Sequence, residues 1–127
     1  MTYRVIVTGC RDWTDALAID RALTEILNRD EPFVIAYGAC PTGADELARI
    51  WGTALDLQGV VTVEPHPADW IKYGKAAGPI RNAEMASLGA DLCLAFWDGS
   101  SNGTLDMITR AVKRGIPVRI IGKAVTP

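Results

Sequence analysis

A regular alternation of short apolar runs with longer stretches of helical periodicity constrains the fold of this chain most. Apolar runs, several rich in β-branched residues, predict five strands at residues 3–8, 33–37, 60–63, 91–96 and 118–121. Strands joined by helical crossovers form a parallel sheet with helices on both faces. The sequence therefore predicts an α/β fold, a doubly wound, Rossmann-like sheet of five parallel strands in the order 3-2-1-4-5.

The segments between the strands carry helix start and stop signals. Thr14 offers an N-cap for a first helix of about 15 residues. Thr42 and Asp45 form a Ser/Thr-x-x-acid pattern, a relative of the capping box, before the second helix. Pro79 fits the first turn of the next helix, and Gly89 fits its left-handed C-terminal position. The apolar positions expected to face the core in the first and last helices are Ile19, Leu23, Ile26, Leu27, Leu105, Ile108, Ala111 and Val112.

Composition argues against several classes of function. The chain has 127 residues, of which 49% are hydrophobic and 22% charged, so one domain over residues 1–127, ending in a short tail, is expected. The formal net charge of −2 lacks the basic footprint of a nucleic-acid binder, so nucleic acid is not expected as a partner. Without an apolar run of roughly 18 residues or a signal-peptide pattern, we expect a cytoplasmic protein that binds no membrane.

The cysteines do not predict a metal centre. Cys10, Cys40 and Cys93 are odd in number and contain no Cys-x-x-Cys pair. Cys10 and Cys40 could form a metal site with His66, but three isolated ligands without close spacing are a weak signal. Reduced structural thiols are the expectation, and neither a metal nor a cofactor is predicted.

Chemistry-bearing residues follow the strand ends that such a fold brings together. Ligands of doubly wound sheets bind at the carboxyl ends of the strands, around the switch point between strands 1 and 4. After the first strand, Gly9 permits a tight turn, and Arg11 could bind a phosphate or a carboxylate. The alternative is a solvated arginine paired with Asp12. The dinucleotide fingerprint Gly-x-Gly-x-x-Gly is absent.

Two further loops are candidates for phosphate binding. Gly38 and Gly43 would let a ligand approach the backbone closely, whereas Thr42 and Asp45 are expected mainly as helix caps. Residues 98–104 place small and hydroxyl-bearing side chains before a helix, as in a phosphate-binding nest. The alternative for this loop is a polar turn in which Asn or Ser caps the helix. A Walker-type loop is excluded because no Gly-Lys-Ser/Thr follows.

The joint between the third strand and the next helix is about twice the roughly 2–6 residues that such joints usually take. A long joint that carries many functional side chains is typical of a binding loop. Its aromatic residues could stack on a base or pin the loop, and its basic residues could hold phosphate or be surface charge. Its carboxylates could be functional or could only face a helix dipole. The candidates here are His66, Asp69, Trp70, Tyr73, Lys75, Arg81, Asn82 and Glu84.

Taken together, these motifs resemble the SLOG superfamily, specifically its phage- and bacteria-associated YspA-like group. The resemblance rests on Thr-Gly-Cys-Arg-Asp-Trp at 8–13, on 38–45, on Ala-Asp-Trp at 68–70, on Tyr-Gly-Lys-Ala-Ala-Gly-Pro-Ile-Arg-Asn at 73–82 and on 99–104. It covers nearly the whole chain. The superfamily is thought to recognise nucleotides and nucleotide-derived ligands such as ADP-ribose, as sensors or as processing enzymes.

The resemblance implies a small nucleotide-like ligand held by the three glycine-bearing loops. In this interpretation Arg81 lies over phosphate or ribose, and Trp70 or Tyr73 stacks on the base. The protein would act as a sensor or a sequestering protein. LOG relatives are typically dimers, so a homo-oligomer, such as a dimer, is a candidate assembly that the sequence itself does not decide. The expected ligand-binding residues are Gly9, Arg11, Asp12, Trp13, Gly38, Thr42, Gly43, Asp45, Asp69, Trp70, Lys75, Arg81, Asn82, Gly99, Ser100, Ser101, Gly103 and Thr104.

Similarity to the LOG-type phosphoribohydrolases suggests a second hypothesis, hydrolysis of an N-glycosidic bond. Their pattern joins Arg-x-x-x-Met to a Gly-Thr loop with a glutamate three residues after the threonine. Arg81 and Met85 match the first part and Gly103-Thr104 the second, but Met107 occupies the glutamate position. An enzyme would therefore need another carboxylate beside Arg81, and the candidates are Asp69, Glu84 and Asp106. A third hypothesis, processing of single-stranded DNA, is disfavoured by the acidic balance.

Overall fold

The computed structural model describes residues 2–56 and 58–122, so the expected tail lies mostly outside the described residues. The elements are β1 (Tyr3–Gly9), α1 (Ala16–Leu27), β2 (Phe33–Tyr37), α2 (Gly43–Asp56), β3 (Val61–Pro65), α3 (Trp70–Tyr73), a 3₁₀ turn (Gly74–Ala76), α4 (Ala77–Ser87), β4 (Leu92–Phe96), α5 (Asn102–Lys113) and β5 (Val118–Ile121).

The strands form one parallel sheet in the order β3-β2-β1-β4-β5, which confirms the predicted fold class and strand order. Val5 of β1 pairs with Ile35 on one side and with Leu92 on the other. Because all strands run the same way, their carboxyl ends meet at one edge of the sheet. The order reverses between β1 and β4, where Gly9 pairs with Phe96. Ligands of such folds bind outside this edge.

Helices cover the two faces of the sheet with two apolar clusters. Val5 and Val7 belong to the larger cluster, together with Ile19 and Leu23 of α1 and with Ala44 and Ala48 of α2. Ile6 belongs to the smaller cluster, which takes its helical residues from α4 and α5. Successive strand residues point to opposite faces, so β1 contributes to both clusters. Its near-continuous apolar sequence follows from this double burial.

Two local expectations were wrong. Asp15, and not Thr14, caps α1, because its carboxylate accepts a hydrogen bond from the Ala18 N–H at 3.1 Å. In α5, Leu105 and Val112 are 44% and 63% exposed, although both were expected to face inward. The buried face of α5 consists of Thr104, Met107, Ile108 and Ala111.

The long joint after β3 contains local structure. Asp69 caps α3, a single helical turn, by accepting a hydrogen bond from the Lys72 N–H at 3.0 Å. The 3₁₀ turn then leads into α4, which has Pro79 in its first turn and is followed by Gly89 at φ +80°, both as predicted. Among the helices at 2–56 and 58–122, none is both long and apolar enough to cross a membrane.

Candidate functional site

A cavity of about 1140 Å³ opens at the carboxyl edge of the sheet. Its volume lies slightly above the usual range for small-molecule sites, so it can hold a nucleotide-sized ligand. The segments after β1, β2, β3 and β4 all contribute to its lining, together with α4 and α5. The expected residues that line it are Gly9, Arg11, Asp12, Gly38, Thr42, Asp45, Trp70, Arg81, Asn82, Ser101, Gly103, Thr104 and Asp106.

Other expected residues lie outside the lining. Trp13 is 2% exposed and packs edge-on against Phe96, with ring centroids 5.6 Å apart, so it belongs to the core. Asp69 caps α3 as described above. The remaining residues outside the lining are Gly43, His66, Tyr73, Lys75, Glu84, Gly99 and Ser100.

Several residues of the lining were not among the expected ligand-binding residues. Cys10, Cys40, Pro67, Ala68, Met85 and Met107 also face the cavity. Cys10 directly follows Gly9, and Cys40 lies two residues after Gly38, so their position after a strand end is the signal that could have found them. Met85 and Met107 have helical core spacing, and their places in the phosphoribohydrolase pattern were the signal that could have found them.

Cys10 joins the loop after β1 to the loop after β4. Its N–H and its thiol both donate to the Phe96 carbonyl oxygen, at 3.1 and 3.4 Å, and the Asp98 N–H lies 3.3 Å from its sulfur. The Cys10 sulfur and carboxylate oxygens of Asp12 and Asp98 lie within 4.8 Å of one another. Burial raises the pKa of the Cys10 thiol, which opposes the thiolate that a metal needs. The imidazole of His66 contacts Glu64 at 2.7 Å instead.

Glycines bring the first two loops into direct contact. A Cβ atom on Gly43 would overlap the Cys10 carbonyl oxygen, and one on Gly9 would overlap Ala44. The Ala44 N–H donates to the Cys10 carbonyl at 3.2 Å. The start of α2 is therefore packed against the protein's own backbone, with Asp45 and Glu46 in its first turn.

Asp45 is a buried carboxylate on the cavity lining, with only 6% of its surface exposed. Its Oδ2 atom accepts a hydrogen bond from the Cys40 N–H at 3.1 Å. The capping-box pattern indicated a hydrogen bond from the Thr42 N–H instead, two residues later in the chain. The chain can turn back there because Ala39 adopts the left-handed conformation, with φ +58°. Burial raises the pKa of Asp45 to about 6, although the Cys40 N–H and the charge of Arg81 oppose the shift.

Arg81 reaches from α4 to the end of β2. Its Nη1 atom donates to the carbonyl oxygens of Gly38 and, at 3.4 Å, of His66, and its Nε donates to the Asn82 side chain at 2.9 Å. Arg11 approaches from the opposite loop, and its guanidinium carbon lies 5.4 Å from the centre of the Trp70 ring. Burial lowers the pKa of Arg81, but an arginine in a protein remains protonated. Two cations therefore border the cavity.

Asn82 links Arg81 to α5. Its amide nitrogen donates to Asp106 at 3.0 Å and to the Gly103 carbonyl oxygen at 3.3 Å. Asp106 also accepts a hydrogen bond from Arg110 at 2.9 Å. The only expected carboxylate of a hydrolase that lines the cavity, Asp106, is thus bound on two sides by protein groups.

The start of α5 differs from that of α2. Within the described residues, Ser101 makes no side-chain capping bond and the first turn of α5 holds no acidic residue. Thr104 donates its hydroxyl to Ser101 at 3.1 Å, and both residues line the cavity. Before the helix, Asp98 accepts hydrogen bonds from the Ser100 and Ser101 N–H groups, which lower its pKa to about 2. The positive end of the α5 dipole therefore faces the cavity without a capping side chain.

Comparison with known proteins gives two matches. The model of the YspA, cpYpsA-related SLOG family matches residues 3–73, from β1 through α3. The gene 61 protein of Mycobacterium phage D29 is 42% identical over 116 residues, which cover 91% of this chain and 93% of that protein. No solved structure gave a significant match. Arg81 and the start of α5 line the cavity, although both come after the segment of the chain that the family model matches.

Proposed function

The chain belongs to the YspA, cpYpsA-related SLOG family, and from this premise we propose that its cavity binds a nucleotide or a nucleotide-derived ligand of the ADP-ribose type. The observation that carries the proposal is the meeting of the uncapped start of α5 with Arg81 and Arg11 at one cavity. A helix N-terminus favours anions, and arginine pairs strongly with phosphate.

The charges at the two helix starts support one position for the phosphate groups. At α2, the Ala44 N–H is bound to the Cys10 carbonyl, and the first turn carries two acidic residues that would repel a phosphate. At α5, the first turn carries no acidic residue, and hydroxyl groups of Ser101 and Thr104 stand beside it. We therefore assign the phosphates to α5 and to the arginines, not to α2.

Trp70 supports a position for the base. It lines the cavity and is 47% exposed, so a flat aromatic surface is open to a ligand. Arg11 already stacks on this ring, which orients both side chains. We therefore assign the base to Trp70, and the phosphates to the start of α5, which lines the same cavity. A sensor or a sequestering protein needs only such binding.

Hydrolysis of the N-glycosidic bond remains the second candidate, because Asp106 and Arg81 line the same cavity. Several observations favour binding without cleavage. Met107, which occupies the position of the glutamate in the LOG-type phosphoribohydrolase pattern, is buried. Glu84 and Asp69 are outside the cavity lining. Asp106 is held by Asn82 and Arg110, and a carboxylate so engaged is poorly placed to activate water.

Thermal unfolding with AMP, NAD and ADP-ribose tests the binding proposal. A ligand that binds the native state raises its stability by mass action, so at least one of these compounds should raise the melting temperature. Arg81→Gln should weaken binding by about 10- to 100-fold, since it removes a charge-assisted contact to phosphate. Arg114 is an exposed arginine at the end of α5. The control variant Arg114→Gln removes the same charge there and should bind the ligand with wild-type affinity. An unchanged melting temperature with all three compounds would refute the proposal.

Incubation with nucleoside monophosphates and with NAD separates binding from hydrolysis. Chromatography should show no free base beyond the level of a protein-free control. Release of base that Asp106→Asn and Arg81→Gln both abolish would replace the binding proposal by the hydrolase. Release that survives both substitutions would point to a contaminating enzyme.

A further inference from the structure

Two oppositely charged side chains hold the residues that follow β2 from either side. Arg81 donates to the Gly38 carbonyl oxygen, and Asp45 accepts from the Cys40 N–H at 3.1 Å. A Cβ atom on Gly38 would overlap the Arg81 guanidinium and would lie 3.0 Å from the Asp45 Oδ2 atom. The guanidinium and the carboxylate therefore meet at Gly38, on the lining of the proposed ligand cavity.

The charged and titratable groups around Asp45 come from several elements. Arg81 faces it from α4, Arg11 from the loop after β1, and Cys40 and Tyr37 from the end of β2 and its loop. Its neighbour Glu46 is paired with Arg49 at 2.5 Å on the surface of α2. Asp45 is thus a buried carboxylate that faces two guanidinium groups.

We propose that Asp45 positions Arg81 and couples the binding of an anionic ligand to the uptake of one proton. The ionised carboxylate attracts the guanidinium toward Gly38, and it repels a phosphate that enters the cavity. When Asp45 takes a proton from solvent, the full charge of Arg81 is left to the phosphate. The inference rests on the proposed function, because it concerns how the same cavity responds to its ligand.

The direction of the pH dependence follows from like-charge repulsion. In the free protein, burial has already raised the pKa of Asp45 to about 6. A bound phosphate adds a negative charge nearby in a poorly solvated place, which raises this pKa further. Between the free and the bound pKa, the complex holds more protons than the free protein does. Affinity is therefore highest below pH 6 and falls as the pH rises, by up to about tenfold per pH unit.

Calorimetric titration with ADP-ribose between pH 5 and pH 8 tests the inference. ADP-ribose is the suitable probe because its pyrophosphate diester loses no proton in this range, whereas the phosphate of AMP has a second pKa near 6. For the wild-type chain we expect the dissociation constant to rise by about tenfold or more from pH 5.5 to pH 7.5. Titrations in two buffers of different ionisation enthalpy should show about half a proton or more taken up near pH 6.5. This proton count requires no variant.

Variants assign the proton to Asp45. Asp45→Asn retains a side-chain oxygen for the Cys40 N–H but cannot titrate, so its affinity should not change with pH. Asp45→Glu should restore the pH dependence, which a purely structural role would not require. Asp56→Asn removes a carboxylate from the far, exposed end of α2 and should keep the wild-type profile.

The outcomes separate this inference from the proposed function. Tight binding with the same affinity at every pH and no proton uptake would overturn the role of Asp45 and leave the ligand proposal intact. A pH dependence that persists in Asp45→Asn would also overturn it, and would assign the proton to another group. Failure to bind ADP-ribose at any pH would overturn the inference together with the proposed ADP-ribose ligand.

Discussion

At the scale of single residues, the space beside the Gly38 α-carbon is filled by the Arg81 guanidinium. Gly38→Ala should therefore displace Arg81 and weaken ADP-ribose binding by about 10- to 100-fold, the same loss that is expected for Arg81→Gln. Calorimetric titration measures this loss. Gly122→Ala is the matched control, because among residues 2–56 and 58–122, the chain neighbour aside, no heavy atom lies within 4 Å of the added methyl group. Wild-type affinity in Gly38→Ala would show that the position of Arg81 at Gly38 is not needed for binding.

Ala39 adopts a backbone conformation that favours glycine. Its φ of +58° costs an L-residue about 1–2 kcal/mol, whereas extra freedom of glycine in the unfolded chain costs about 0.4–1 kcal/mol. Ala39→Gly should therefore raise the free energy of unfolding by about 0.5–1 kcal/mol. The same substitution at Ala54, exposed on α2, should lower it by about 1 kcal/mol. Urea unfolding measures the free energy of unfolding of both variants. A loss of stability in Ala39→Gly would show that the Ala39 backbone is not strained.

The residue scale also shows where sequence reasoning ends. The Thr-x-x-Asp pattern predicts a cap, and Asp45 does accept a backbone N–H, but that N–H belongs to Cys40. The difference depends on the left-handed turn at Ala39, and an alanine gives no signal of such a turn. Similarly, the small size of Gly43 was expected to admit a ligand, and the backbone of Cys10 and Arg11 fills that space.

At the scale of elements, the orientation of α5 decides which apolar residues stabilise the fold. Met107 is fully buried between α4 and the sheet, whereas Val112 is 63% exposed. Met107→Ala should lower the free energy of unfolding by about 2–4 kcal/mol, because it leaves a cavity in the core. Val112→Ala should change it by less than about 0.5 kcal/mol. Urea unfolding of both variants checks the orientation, and equal losses would contradict it.

The orientation of α5 could not be settled from its sequence. Thr104, Met107, Ile108 and Ala111 have the i, i+3, i+4, i+7 spacing of an amphipathic helix. The expected stripe of Leu105, Ile108, Ala111 and Val112, spaced i, i+3, i+6, i+7, also fits one helical face. One residue along the helix turns a side chain by about 100°. Packing against α4 and β1 selects between the two faces, and that packing depends on residues far away in the sequence.

At the scale of the whole molecule, one ionic network joins distant parts of the chain. Arg4 of β1 contacts Glu64 of β3 at 2.5 Å and donates to the Gly89 carbonyl oxygen at 2.9 Å. His66 contacts the same carboxylate at 2.7 Å. Hydrogen bonds from Arg4, aided by His66, lower the pKa of Glu64 to about 2. The network therefore spans β2 and connects β1 to β3, the strands on either side of it.

Stability should depend on pH through Glu64. Its folded pKa is lowered from 4.5 to about 2, so its contribution is complete above pH 4.5 and is lost as the pH falls toward 2. Since the side chain is 38% exposed, solvent reduces this contribution, and Glu64→Gln should cost about 1 kcal/mol at pH 7. The difference from the wild type should shrink in urea unfolding at pH 3. Glu25→Gln, which breaks an exposed pair with Arg119, should cost less than about 0.5 kcal/mol at either pH.

The fold and the edge of the sheet that carries the cavity could be predicted, because crossover length and chain order determine them. Gly9, Gly38 and Thr104 follow or lie near the ends of different strands, so their meeting follows from the topology alone. The partners of Arg81 could not be predicted, since they depend on side-chain conformations across three elements. The charges at the two helix starts can be read from the sequence, but the packing of the α2 start against the backbone of Cys10 and Arg11 could not be predicted.

The central position of β1 has a consequence for how the chain is made. Val5 pairs with Leu92, 87 residues later in the chain, and the Cys10 N–H bonds to Phe96. At synthesis rates of roughly 5–20 residues per second, β1 waits about 4–17 seconds for this second partner. During that time one side of an apolar strand stays open to other chains and to chaperones. A ribosome that pauses before Leu92 would prolong this exposure, and a chain truncated there would lack one side of its cavity.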